Sequence, residues 1–254
     1  MRTVNAARYV TPLREGGSLP AIIEADDDGM YVLKFRGAGQ GAKALIAELI
    51  AGELARVAGF LVPELVLVAL DPEIARTEPD PEIQDLIRAS GGINLGLDYL
   101  PGSVMFDPVA DKPDAELASR IVWFDAYVTN VDRTARNANM LMWHRRLWLI
   151  DHGAALYFHH TWTDMDRRSK DPFALIKDHI LLPFAGALEA ADEAMTARIT
   201  EAVIKETIGV VPEIWLEEDT RFNTIAEHRQ AYVEYLTKRL AAPRNFVEEA
   251  IRAR

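Results

Sequence analysis

Asp132 stands five residues before Asn137 in the stretch NVDRTARNANML, and an Asp-His-Gly triplet follows at 151–153. Two carboxylates and an amide make an oxygen-rich donor set, the kind that hard cations such as magnesium prefer. Far upstream, Lys34 lies in the apolar run MYVLKF, and Glu48 lies fourteen positions later in AKALIAELIAGELARVAGF. A lysine held by a carboxylate is a way to fix an ammonium against phosphate charge. Together these residue types suit chemistry on a phosphate ester with a divalent ion.

The elements that must position them follow from the local patterns. LMWHRRLWLI alternates apolar and charged residues about His-Arg-Arg, which predicts a β-hairpin turning near 144–146. That hairpin would bring Asp132, Asn137 and Asp151 to one edge of a small sheet. Asn139 is a rival for the metal role, but the Asp-x4-Asn spacing favours Asn137. MYVLKF reads as a strand entered from a turn at Asp26 to Gly29, with Lys34 inside it. The run after Gly41 carries apolar residues at helical spacing, with Gly59 placed to end the helix and Glu48 near its middle. The plain alternative for Glu48 is an exposed helix carboxylate.

Between the first two candidate strands sits Arg-Glu-Gly-Gly-Ser at 14–18. Gly16 and Gly17 would let backbone amides approach a phosphate, with Ser18 beside them, although a glycine pair is also an ordinary turn. VPELVLVAL and GINLGLDYLPGS read as two further strands. The second leads into an extended connector, where Asp98, Tyr99 and Leu100 are expected to read an adenine edge through the main chain. From Ala115 the pattern is helical, and residues 173–254 predict several helices. His159 and His160 lie in a polar stretch and read as solvated histidines rather than a transition-metal site. The composition shift near 98–103 divides the chain into a strand-rich segment, 1–98, and a mainly helical one, 99–254.

The 254 residues include no cysteine, which excludes disulfides and thiolate metal sites. A formal charge of −11 and a pI near 5.1 argue against a nucleic-acid groove, so no nucleic-acid partner is expected. No run approaches the roughly 20 apolar residues of a membrane span, and the N-terminus lacks the apolar core of a signal peptide. A soluble, cytoplasmic protein with no membrane partner is the expectation.

Glycine turn, strand lysine, helix glutamate, connector, Asp-x4-Asn, hairpin and Asp-x-Gly occur in the order of protein-kinase-like phosphoryl transfer. The fold class expected is α+β: a two-lobed protein-kinase-like fold, with a strand-rich N-terminal lobe and a mainly helical C-terminal lobe. In that order Lys34 neutralises phosphate charge and Glu48 orients it. Asp132 aligns the attacking hydroxyl or takes its proton, and Asn137 and Asp151 hold Mg²⁺ with ATP.

More specifically, the sequence resembles the HipA-like kinase family through VLKF at 32–35, AELIAGELARVAGFLVPE at 47–64, NVDRTARNANML at 130–141 and LWLIDHGAAL at 147–156. The resemblance implies ATP, Mg²⁺ and transfer to a serine or threonine hydroxyl, with Ser18 as a site of autophosphorylation. His152 stands where eukaryotic kinases commonly carry phenylalanine, so their phenylalanine switch is not expected. Typical toxin kinases of the family carry an additional N-terminal segment and act with a DNA-binding antitoxin. This chain is compact and lacks that segment, which makes an antitoxin partner doubtful and a stand-alone member the expectation. Two other readings keep the fold: a small-molecule kinase of the aminoglycoside-kinase kind, whose cationic acceptor would suit an acidic protein, and a nucleotide-binding regulatory module without transfer. The acceptor is accordingly a protein or a small-molecule hydroxyl.

Overall fold

Alternating apolar residues in the first hundred positions form five strands: β1 (Thr3–Pro12), β2 (Ala21–Ala25), β3 (Met30–Lys34), β4 (Leu65–Leu70) and β5 (Gly92–Asp98). The computed structural model describes residues 1–13 and 19–254. The strands close into a barrel in the order β1-β2-β3-β5-β4. The β1–β4 contact is parallel and the other pairings are antiparallel. Ile23, Tyr31, Leu33, Val66 and Val68 fill the barrel, as period-two alternation requires of inward positions.

Helix α1 (Ala42–Val57) leaves the barrel after β3. Leu45, Ile46, Leu49, Ile50 and Leu54 are all buried, so the helix is enclosed on more than one face. That is why Glu48, at 0% exposure, is a core residue and not the exposed carboxylate that its residue type alone suggests. Gly52 permits the close approach to β4, because a Cβ there would sit 2.8 Å from Leu65 Cδ1. Gly59, at φ 90°, stops the helix. Its N–H donates to Arg56 O and that of Phe60 to Ala55 O, both at 3.0 Å, in a Schellman arrangement.

A 3₁₀ turn at Pro72–Thr77 and helix α2 (Pro81–Ala89) follow β4. Asp80 caps α2 by accepting from Glu82 N–H, and Ile83 and Ile87 bury against the barrel cluster.

Beyond β5 come β6 (Val104–Met105), β7 (Met140–Trp143) and β8 (Arg146–Leu149), a three-stranded sheet in sequence order. The predicted hairpin is β7–β8, and its turn residues His144 and Arg145 both have positive φ, 48° and 60°, matching the twist of the paired strands. The helices are α3 (Ala115–Tyr127), α4 (Met165–Arg168), α5 (Leu188–Arg198), α6 (Glu201–Gly209), α7 (Glu213–Leu216), α8 (Ile225–Leu240) and α9 (Asn245–Ala253). Asp114 caps α3 by accepting from Leu117 N–H at 2.7 Å.

The apolar cores do not divide at residue 98. The buried side chains of α1 belong to the same cluster as those of α3, α5, α6 and α8, whereas the barrel interior is a separate cluster. Phe60, just past α1, meets Phe124 of α3 edge-to-face at 5.6 Å. Helix α1 is thus packed with the helical part while its Glu48 reaches back to the barrel lysine.

Candidate active site

Lys34 ends β3, and its side chain leaves the barrel toward α1. Nζ donates to Glu48 Oε2 at 2.7 Å and to Asp151 Oδ1 at 2.5 Å. Three residues from three distant segments therefore meet on one ammonium. Burial alone would lower the lysine pKa, but the two carboxylates overcome it and hold Lys34 above its ordinary range. Burial likewise pushes the Glu48 carboxyl up, and Lys34, followed by His152, more than offsets it, leaving it well below the usual carboxylate range. The pair is therefore charged on both sides at neutral pH.

His152 is wholly buried, with Nδ1 3.5 Å from Glu48 Oε1 and its ring edge-on to Phe124 at 6.4 Å. This imidazole packs between Glu48 of α1 and Phe124 of α3. Asp151 precedes it with φ 55°, a left-handed conformation uncommon for a residue with a Cβ. That conformation lets the carboxylate face Lys34 while the next side chain turns into the core. The Asp151 side chain remains 46% exposed.

The loop after α3 places Asp132, half-buried, beside both asparagines. Asn137 Nδ2 donates to Asp132 Oδ2 at 2.6 Å, and Asn139 Nδ2 approaches the same oxygen at 3.2 Å. Asn139 Nδ2 also lies 3.5 Å from the Asp151 carbonyl, and its own carbonyl accepts from Ile150 N–H at 3.0 Å. Asn139 is thus the residue that joins the Asp132 loop to Asp151, a connection that the Asp-x4-Asn spacing does not reveal.

Sequence reasoning also missed what holds this loop. Arg133 turns inward: its Nε donates to Asp125 Oδ2 at 2.6 Å, and its Nη1 donates to the Asn139 carbonyl. His179 Nε2 meets Asp125 Oδ2 at 2.8 Å, and Asn130 Nδ2 donates to Oδ1 at 3.0 Å. Burial would raise the Asp125 pKa, but Arg133, His179 and Asn130 hold the group well below its ordinary value. The available signal was Asp125 on a helix whose other inward positions are apolar apart from Ser119.

Other expectations fare differently. Gly16, Gly17 and Ser18 lie outside the described residues. In the connector, Asp98 N–H donates to Glu64 O and Tyr99 N–H to Met30 O, both at 2.9 Å, so these two amides are committed to the barrel. The Leu100 carbonyl accepts from Ser103 N–H and Oγ. Of the three amides, only that of Leu100 has no partner among the described residues. The expectation that both histidines are solvated is corrected for His159. It is fully buried, with Nδ1 2.9 Å from the Tyr232 hydroxyl, because the chain there forms a 3₁₀ turn packed under α8.

The donor set at the site consists of the Asp132 and Asp151 carboxylates and the amide oxygens of Asn137 and Asn139. Because both asparagines present their nitrogens to Asp132, their oxygens stay available, which fits a hard divalent cation. Among the described residues no group of three or more acidic or histidine side chains forms a ready-made cage. Ligands from a phosphate-bearing partner would have to complete such a coordination shell, as is usual for magnesium.

A strand lysine bound to a helix glutamate and an Asp-x-Gly aspartate, on a five-stranded barrel joined to a helical part, places the protein in the kinase class. Its fold is similar to that of the Helicobacter pylori proinflammatory kinase CtkA, at a TM-score of 0.60 with 13% identity over 98% of this chain and 99% of that one. It is also similar to the Golgi casein kinase, at 0.52 and 12% over 98% of this chain and 74% of that one, including a structure with Mn/ADP bound. The chain belongs to the HipA-like kinase family, whose model matches residues 7–248. No curated protein matches the sequence. Among the described residues no helix is long and apolar enough to cross a membrane.

Proposed function

We propose that this protein is an ATP- and Mg²⁺-dependent phosphotransferase of two-lobed protein-kinase-like architecture, with a serine or threonine hydroxyl of a protein as its acceptor. The observation that carries the reading is the double engagement of Lys34 by Glu48 and Asp151. An ammonium held between a core carboxylate and a half-exposed one is positioned before any ligand arrives, and preorganised charge of this kind is where phosphoryl-transfer rate enhancement originates. A relative in fold with Mn/ADP bound supports a nucleotide and a divalent metal as the ligands.

In this reading Lys34 neutralises charge on the nucleotide phosphates, and Glu48 keeps it from following Asp151. Asp132, steadied by the two asparagine amides, orients the acceptor hydroxyl and receives its proton as the oxygen attacks. Asp151 with Asn137 or Asn139 holds the metal, which when bound neutralises charge developing on the transferred phosphoryl group. The Leu100 N–H is the main-chain donor left for the adenine edge. Asp125, Arg133 and His179 position the Asp132 loop without touching substrate.

The test is incubation with γ-labelled ATP, Mg²⁺ and a cell lysate. Labelled protein bands that vanish with Asp132→Ala are expected. A labelled low-mass product in place of bands would move the acceptor to a small molecule, and unlabelled lysate with retained ATP binding would leave only a nucleotide-binding module.

A further inference from the structure

A groove of about 530 Å³ lies between the β7–β8 hairpin, the segment 106–114 and the start of α3. Its lining is partly apolar, with the buried Phe60 and Phe106 and the partly buried Met142 and Leu147. Its rim carries four cations, Lys112, Arg120, Arg145 and Arg146, against two acids, Asp111 and Asp114. Asp114 is already spent on capping α3. Lys112, Arg145 and Arg146 form no ion pair among the described residues. The buried Nε of Arg120 has no hydrogen-bond partner, its nearest carboxylate being Glu116 at 4.0 Å, and its guanidinium lies 5.9 Å from the centre of the Phe60 ring. A rim in which three cations have no ion pair among the described residues is out of character for a chain of net charge −11. Beside it, Val104, Met105 and Val109 are 62%, 50% and 83% exposed, an apolar margin that none of the described residues covers.

We propose that this groove docks an acidic segment of a protein partner, an extended peptide whose carboxylates meet the arginines and whose apolar side chains meet the apolar part of the lining. Charge complementarity selects the sign, and that apolar part with its exposed margin selects peptide over nucleic acid, whose backbone offers no apolar anchors. The inference deepens the phosphotransferase reading by assigning the partner as the acceptor protein, held at a distance from the phosphorylated hydroxyl. The location suits that role. Leu149 of β8 pairs with Met140, its N–H donates to Leu61 O at 2.8 Å, and Asn139 and Asp151 flank the open end of this same hairpin. A docked segment therefore lies on the element that carries part of the candidate active site.

The probe is a fluorescein-labelled peptide, Asp-Glu-Leu-Glu-Phe-Asp-Glu, followed by anisotropy with the full chain. Saturable binding is expected that weakens with salt and falls about tenfold or more in Arg145→Glu/Arg146→Glu, two exposed positions whose reversal leaves the core untouched. Met142→Ser, which thins the apolar lining, is expected to weaken it too. The same peptide with serine for leucine and phenylalanine is expected to bind far less. Absent saturation, equal binding of the serine peptide, undiminished binding by both variants, or tighter binding of a single-stranded oligonucleotide would each overturn the proposal. The measurement uses no turnover and is independent of the labelled-ATP incubation: peptide binding with no labelled product in that incubation removes the kinase reading and keeps the groove, whereas labelled protein bands without peptide binding remove the groove alone.

Discussion

Arg133 and Asp125 form a fully buried ion pair, with Nε to Oδ2 at 2.6 Å and both side chains at 0% exposure. Asp132, beside Arg133, points the other way into the site. The loop is therefore pinned from below by one residue while its neighbour is presented to the candidate site. Breaking such a pair strands an uncompensated charge, which costs about 3–5 kcal/mol. Arg133→Met is expected to destabilise the chain by that amount, read from denaturant midpoints. Asp125→Asn should cost about as much, since it strands the buried Arg133 guanidinium, which cannot shed its charge.

Lys34→Met leaves Glu48 and Asp151 facing each other without the ammonium that separates them. Phosphotransfer should fall at least about a hundredfold, the scale on which loss of one preorganised electrostatic group is felt. The folded state should survive, as judged by circular dichroism. Turnover within a few-fold of wild type would show that the ammonium does not carry the chemistry.

Asp132→Ala removes the carboxylate proposed to orient the acceptor hydroxyl but none of the barrel residues proposed to hold the nucleotide. Turnover should be lost while ATP binding, followed by calorimetry, stays near wild type. Asp151→Ala should weaken binding specifically when Mg²⁺ is present, and chelation with EDTA should abolish transfer by the wild-type chain.

Asn139, through its contacts to both Asp132 and the Asp151 carbonyl, should matter more than its spacing suggests. Asn139→Ala and Asn137→Ala compared at varied Mg²⁺ will separate their roles. The variant whose activity is restored by raised Mg²⁺ marks the metal ligand, and one that loses activity at every Mg²⁺ concentration marks the residue holding the loop.

Acid should weaken the fold in two windows. Glu48 and Asp125 sit well below their ordinary values of 4.5 and 3.8, so their contribution is complete above those values and drains as pH falls beneath them. His159 is held, chiefly by burial, well below 6.5, so the unfolded chain binds its proton first and stability declines as pH drops below about 6.5. His159→Asn should flatten the slope of urea midpoint against pH between about 5 and 6.5 and leave the steeper loss below pH 4.5.

The order of Lys34, Glu48, Asp132, Asn137 and Asp151 was legible in the sequence, together with the β7–β8 hairpin and the helix between Gly41 and Gly59. These rest on local rules: period-two alternation, helical spacing and glycine at a helix end act within a few residues, so the chain displays them without its partners. Which side of each loop faces the site was not legible. Arg133 buried and Asp132 outward, Asn139 bridging to Asp151, and His159 sealed under Tyr232 all depend on segments tens of residues away competing for the same space. A polar residue is buried only where a distant partner repays its desolvation, and that partner is supplied by tertiary packing alone.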